Sequence, residues 1–143
     1  MRIVLVNNSS ETFTPTHSGA IATWIWECCR AARSCGAEPI VISRSAQLKP
    51  YEWPNTVFVD YPAITGGKMA SYFFRLQRKL NGWRHMRQKA FAARVAHAVR
   101  KLDAEESTLV LHNDPEMAVL LRERFPKASI LHHFHNQEQC KEV

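Results

Sequence analysis

The chain has 143 residues, 45% apolar and 22% charged, with a net charge of +6; this is one domain's worth, enough to bury a core, in proportions ordinary for a soluble globular protein. No apolar run approaches the roughly 18–20 residues of a membrane span. The opening run Met1–Val6 has no small-residue cleavage site after it, so it reads as a buried strand and not a secretory signal, and the expected location is cytoplasmic.

Strand and helix signals alternate along the chain. Ile3–Val6 reads as strand one, followed by a polar loop from Asn7 to Ser18. A helix is expected from about Ala20 to Ser34, with Ile21, Trp24, Ile25 and Cys28 at helical spacing and Gly36 as its stop. Ile40–Ile42 and Val57–Val59 read as strands two and three. Phe73, Leu76, Leu80 and Trp83, then Phe91, Val95, Val99 and Leu102, predict one or two helices, with a break or kink at Gly82. Leu109–Leu111 is strand four. Asp114-Pro115-Glu116 opens a further helix that Phe125-Pro126 ends, and Ile130–Phe134 is strand five. Strands separated by helices specify a parallel sheet covered on both faces, a Rossmann-like doubly wound α/β fold with expected strand order 3-2-1-4-5.

The charge is unevenly placed. No acidic residue lies between Asp60 and Asp103, and that stretch holds ten Lys or Arg, from Lys68 to Lys101. Such a field attracts phosphates, acidic substrates or an anionic membrane surface. Cys28, Cys29, Cys35 and Cys140 form no CxxC pair and read as reduced thiols in or near the core.

Open α/β sheets bind ligands beyond the carboxyl ends of their strands, where the strand order reverses. Here that point lies between strands one and four. Asn7, Asn8 and Ser9 follow strand one; His112, Asn113 and Asp114 follow strand four; His135 and Asn136 follow strand five. Ser18-Gly19-Ala20 opens the first helix, where a glycine gives a ligand access to free N–H groups and a positive dipole end. The GxGxxG fingerprint is absent, against a typical NAD domain. His133 and His135 share a strand face beside His112, the makings of a three-histidine zinc site. No carboxylate on that strand completes it, and His132 and His133 fall where core packing is expected, so no metal is expected.

Four segments together resemble the N-terminal domain of the family 4 retaining glycosyltransferases, which have the GT-B fold. They are Met1–Val6 with Ser18-Gly19-Ala20; Cys35–Val41; Leu109–Glu116; and Phe125–Asn136. The resemblance covers nearly the whole chain. It implies that residues 1–143 are the acceptor-side Rossmann-like domain, incomplete at its C-terminal end and lacking the second, nucleotide-sugar domain with its paired glutamates. It implies transfer of a hexose from a nucleotide sugar to a glycan or lipid-linked acceptor, without a cofactor or essential metal. Ser18 and Gly19, in the glycine loop, would approach the donor phosphates and the acceptor, His135 with Asn136 would lie at the transferred sugar as the catalytic position, and His112 with Asn113 would line the acceptor side. The family usually has two adjacent glycines where this chain has Gly19 between Ser18 and Ala20.

The rival reading is a non-catalytic basic module that holds a polyanion or a membrane surface through 68–101, where Tyr72, Phe73, Phe74 and Trp83 interleave with the cations. Peripheral attachment to the inner face of a membrane fits either reading, and no nucleic-acid partner is expected.

Overall fold

The first strand is apolar at every position, as a strand buried on both faces must be. In the computed structural model, which describes residues 2–16, 19–45, 48–60 and 82–134, β1 (Ile3–Val6) lies at the centre of a five-stranded parallel sheet. Its neighbours are β2 (Ile40–Arg44) and β4 (Thr108–His112); β3 (Thr56–Val59) and β5 (Ser129–His133) lie outside them, in the order β3-β2-β1-β4-β5. The fold is α/β, Rossmann-like and doubly wound, with the expected strand order.

Among the described residues three helices cover the sheet. α1 (Ala20–Ser34) joins β1 to β2, α2 (Gly82–Lys101) precedes β4, and α3 (Pro115–Arg124) joins β4 to β5. α1 ends in a Schellman turn: Gly36 sits at φ 75, its N–H reaches Arg33 O, and Ala37 N–H reaches Ala32 O. α2 ends the same way with Asp103 at φ 48 in glycine's place; Ala104 N–H returns to Val99 O. Arg2 ties that turn to the start of β1 by donating to Leu102 O at 2.7 Å. α2 is described from Gly82 onward, and the residues on the other side of the break expected there lie outside the described residues. Asp114 caps α3 as expected, accepting from Met117 N–H at 3.0 Å with Pro115 in the first turn.

The pleat sorts the core into two layers. On the α2/α3 side, Val4, Val6, Ile42, Leu109 and Leu111 meet Phe91, Val95, Val99, Met117 and Leu121. On the α1 side, Leu5, Val41 and Val110 meet Ile21, Ile25 and Cys29, together with Phe13 and Trp53. Trp26 stacks on Tyr51 with ring centroids 4.8 Å apart, and Arg33 lies over Trp53. Of the thiols, Cys29 is buried and Cys28 half-buried as expected, but Cys35 is exposed because it is the C-cap of α1; Cys140 lies outside the described residues.

Candidate functional site

The polar residues after β1 serve first to shape the loop. Asn7 is fully buried; its Nδ2 donates to Ser43 Oγ at 3.1 Å, anchoring the loop to β2. Asn8 Oδ1 accepts from the N–H and hydroxyl of Ser10, and its Nδ2 reaches His112 O at 3.4 Å. Asn8 thus stitches the end of β1 to the end of β4, across the point where strand order reverses.

The N-terminus of α1 already carries an anion. The Glu11 carboxylate accepts the Ala22 N–H at 3.2 Å, and a Cβ on Gly19 would fall on that carboxylate. The Gly19 backbone is ordinary extended chain, φ −73 and ψ 178, so the glycine is required for room and not for conformation. No acidic residue lies in the first turn of α1, and Gly19 offers no side-chain cap; Glu11 supplies both charge and cap from the loop. The expectation that Gly19 clears a path for a ligand is therefore modified: the space above it holds the chain's own carboxylate. Glu11 is the only acid between Asn7 and Gly19, a signal that charge counting in the loop makes available.

A second cluster forms at the ends of β4 and β5. His112 pairs in register with His133, so their rings point to the same face, the α1 side. The two imidazole centroids lie 5.6 Å apart, and the Trp24 indole lies 4.8 Å from each. His112 is buried, while His133 and Trp24 are half-buried. Trp24 enters the sequence reading only as an apolar helix position; its place over two strand-end histidines depends on the tertiary fold. Asn113 turns the chain out of β4 at φ 48, a left-handed conformation that asparagine tolerates, and its N–H bonds to His133 O.

His132 points the other way. Its Nε2 accepts the Asp114 N–H at 3.0 Å, so its ring proton is on Nδ1. Burial, then the neighbouring His133, hold its pKa below the ordinary histidine value. Asp114 is buried and also accepts from Gln88 Nε2 at 3.2 Å, joining α2 to the cap of α3. His132 and His133 are both half-buried, not the core residues expected from sequence, because β5 is the outer strand of the described sheet.

The structure therefore brings His112 and Asn113 together with His133, Trp24 and Asn8, and sets Gly19 against Glu11 about a turn and a half of α1 away from Trp24. Ser18, His135 and Asn136 lie outside the described residues. Among the described residues no group of three His, Cys, Asp or Glu is placed to hold a metal ion, and no helix is long and apolar enough to cross a membrane. No protein-family model, curated protein or solved structure matches this chain.

Proposed function

We propose that this chain is the acceptor-side domain of a nucleotide-sugar-dependent glycosyltransferase, with a hexose as the transferred group. The observation that carries the reading is the convergence of neutral polar groups and an indole on one edge of the sheet. Asn8, His112, Asn113, His133 and Trp24 all lie at the carboxyl ends of β1, β4 and β5, where strand order reverses. Imidazole, amide and backbone groups suit a hydroxyl-rich ligand, which needs donors and acceptors in equal measure, and indoles pack on the apolar faces of sugar rings.

In that reaction an acceptor hydroxyl forms a new bond to the anomeric carbon. The bond from that carbon to the donor phosphate breaks, the nucleoside diphosphate leaves with the electron pair, and the hydroxyl proton goes to a base or to the leaving phosphate. His112 and Asn113 are assigned to the acceptor side. His135 with Asn136 is assigned to the sugar ring, and Ser18 and Gly19 to the donor phosphates, which would take the place at the N-terminus of α1 that the Glu11 carboxylate holds; these assignments come from the family resemblance.

The domain is cytoplasmic in this reading and needs its nucleotide-binding partner domain for turnover. Residues 1–143 alone should show no sugar transfer with a panel of nucleotide sugars, while the complete protein should. In the complete enzyme His135→Ala should lower kcat by about 100-fold, equivalent to roughly 3 kcal/mol of transition-state stabilisation, with a smaller change in KM. A folded His135→Ala enzyme with wild-type kcat removes that residue from the site, and a complete protein that transfers no sugar to any acceptor sinks the reading.

A further inference from the structure

We propose that the solvent face of α2 is a docking surface for an anionic lipid bilayer. The helix advances about 100° per residue, and from Gln88 onward its burial divides cleanly. Phe91, Ala92, Val95, Ala96, Ala98 and Val99 are buried against the sheet and α3. Lys89, Ala90, Ala93, Arg94, His97, Arg100 and Lys101 are exposed and fall within an arc of about 140°. That arc holds four permanent cations and no acid, and from Lys89 to Lys101 it runs about 18 Å along the helix.

The charge of this stripe is largely unspent among the described residues. Arg30 pairs with Glu27, Lys49 with Glu52 and Lys127 with Glu106, but Lys89, Arg94, Arg100 and Lys101 have no ion pair among the described residues, and Arg100 lies over the Phe125 ring. Among the described residues, acidic side chains come near the stripe at its rims. Glu116 and Glu123 share a groove with Lys89, and Asp103, Glu105 and Glu106 share a hollow with Arg100. Charge complementarity therefore calls for an extended polyanion and not a single acidic residue.

Two features favour lipid over nucleic acid. Single-stranded nucleic acid is gripped by aromatic rings set among the cations, and the exposed arc from Lys89 to Lys101 carries no Phe, Tyr or Trp; Phe91, on the opposite face, is buried. The adjoining groove instead exposes an aliphatic side chain, Val119, at 59%, beside Lys89. Small alanines between the cations let the helix lie close to a flat surface, and the cations face the headgroups together.

The test is vesicle binding by the whole chain. The protein should bind phosphatidylserine–phosphatidylcholine vesicles, ignore pure phosphatidylcholine, and release as salt shortens the Debye length. Each lysine or arginine at such a surface is worth roughly fivefold in partitioning, so Lys89→Gln/Arg94→Gln/Lys101→Gln should weaken binding about 100-fold. The matched variant Arg30→Gln/Arg33→Gln/Lys49→Gln removes the same charge from the α1 side and should weaken it less than about tenfold. Arg94→Gln alone, read as roughly fivefold, serves if the triple variant does not fold. Absence of binding at low salt, equal losses in the two triple variants, or tighter binding to a short DNA duplex than to the anionic vesicles would each overturn the proposal.

Discussion

The two sides of the sheet are built from different materials. Among the described residues the α2/α3 side is aliphatic and alanine-rich, closed over by two helices, and the rings in its buried core are Phe91 and Phe125. The α1 side has, among the described residues, one helix and fills its remaining width with rings: Phe13, Trp24, Trp26, Tyr51 and Trp53. Rings reach further than aliphatic chains, so one helix with a loop can cover what two helices cover opposite. The cost of that solution is exposure, since Trp24, Trp26 and Tyr51 stay half in solvent. The side that leaves rings at its surface is also the side onto which His112 and His133 point.

The sharpest test of this difference is truncation. Phe91→Ala empties a fully buried ring position and should cost about 3–5 kcal/mol in urea unfolding. Trp26→Ala removes a larger but half-buried ring and should cost only about 1–2 kcal/mol. Equal losses would mean that the aromatic layer is as tightly closed as the aliphatic one.

The cap of α1 allows a finer test. Glu11→Ala removes the carboxylate that accepts the Ala22 N–H, at about 1 kcal/mol. Gly19→Ala should cost about the same, because its new methyl displaces the end of a flexible side chain and so removes the same cap. The double variant should lose little more than either single one. Additive losses in a double-mutant cycle would show that Gly19 is required for something besides the Glu11 carboxylate.

A third test separates the faces of β5 by pH. The folded pKa of His132 lies below its ordinary 6.5, so the unfolded chain binds the proton more readily. The stability it contributes is present above that value and is lost as pH falls from there through the folded pKa. Protonation also removes the Nε2 acceptor used by Asp114 N–H. Melting temperature should fall below about pH 6.5, and His132→Gln should flatten the decline; an unchanged slope in that variant would remove His132 as its source.

The smallest effect concerns thiols on and beside α1. Burial pushes the Cys29 thiol up to about 12, whereas Cys35 is exposed. A maleimide should modify Cys35 promptly and leave Cys29 untouched until the protein unfolds, as peptide mapping would read.

Much of the fold is legible because the strands are apolar runs and the helices carry their own stops. Val4 to Val6 and Leu109 to Leu111 are buried whichever face they take, and Gly36 and Asp114 mark helix ends by local chemistry. The misjudged boundaries are instructive. β2 continues through Ser43 and Arg44 beyond the expected Ile42, because Ser43 is buried by bonding to Asn7 and not by being apolar. β3 and β5 each start a residue earlier than expected, at Thr56 and Ser129, where the backbone pairs but the side chain gives no apolar signal. The site was legible in outline only. That His112 and His133 lie on neighbouring strands is readable from sequence, but their register, the indole beside them and the carboxylate at Gly19 come from segments brought together by folding.

The pairing of β1 with β4 sets a schedule for synthesis. β1 finds β2 about 36 residues later, but its other edge waits for Thr108, about 100 residues downstream. At ribosomal speed the interval between completing β2 and emitting β4 is on the order of several seconds. Throughout it the most apolar strand of the nascent chain presents an unfilled row of amides and carbonyls, the kind of edge that recruits other chains. The step that completes the centre of the sheet is thus the insertion of a late strand beside the earliest one, and a chaperone that shelters Ile3–Val6 during that wait would raise folding yield more than one acting afterwards.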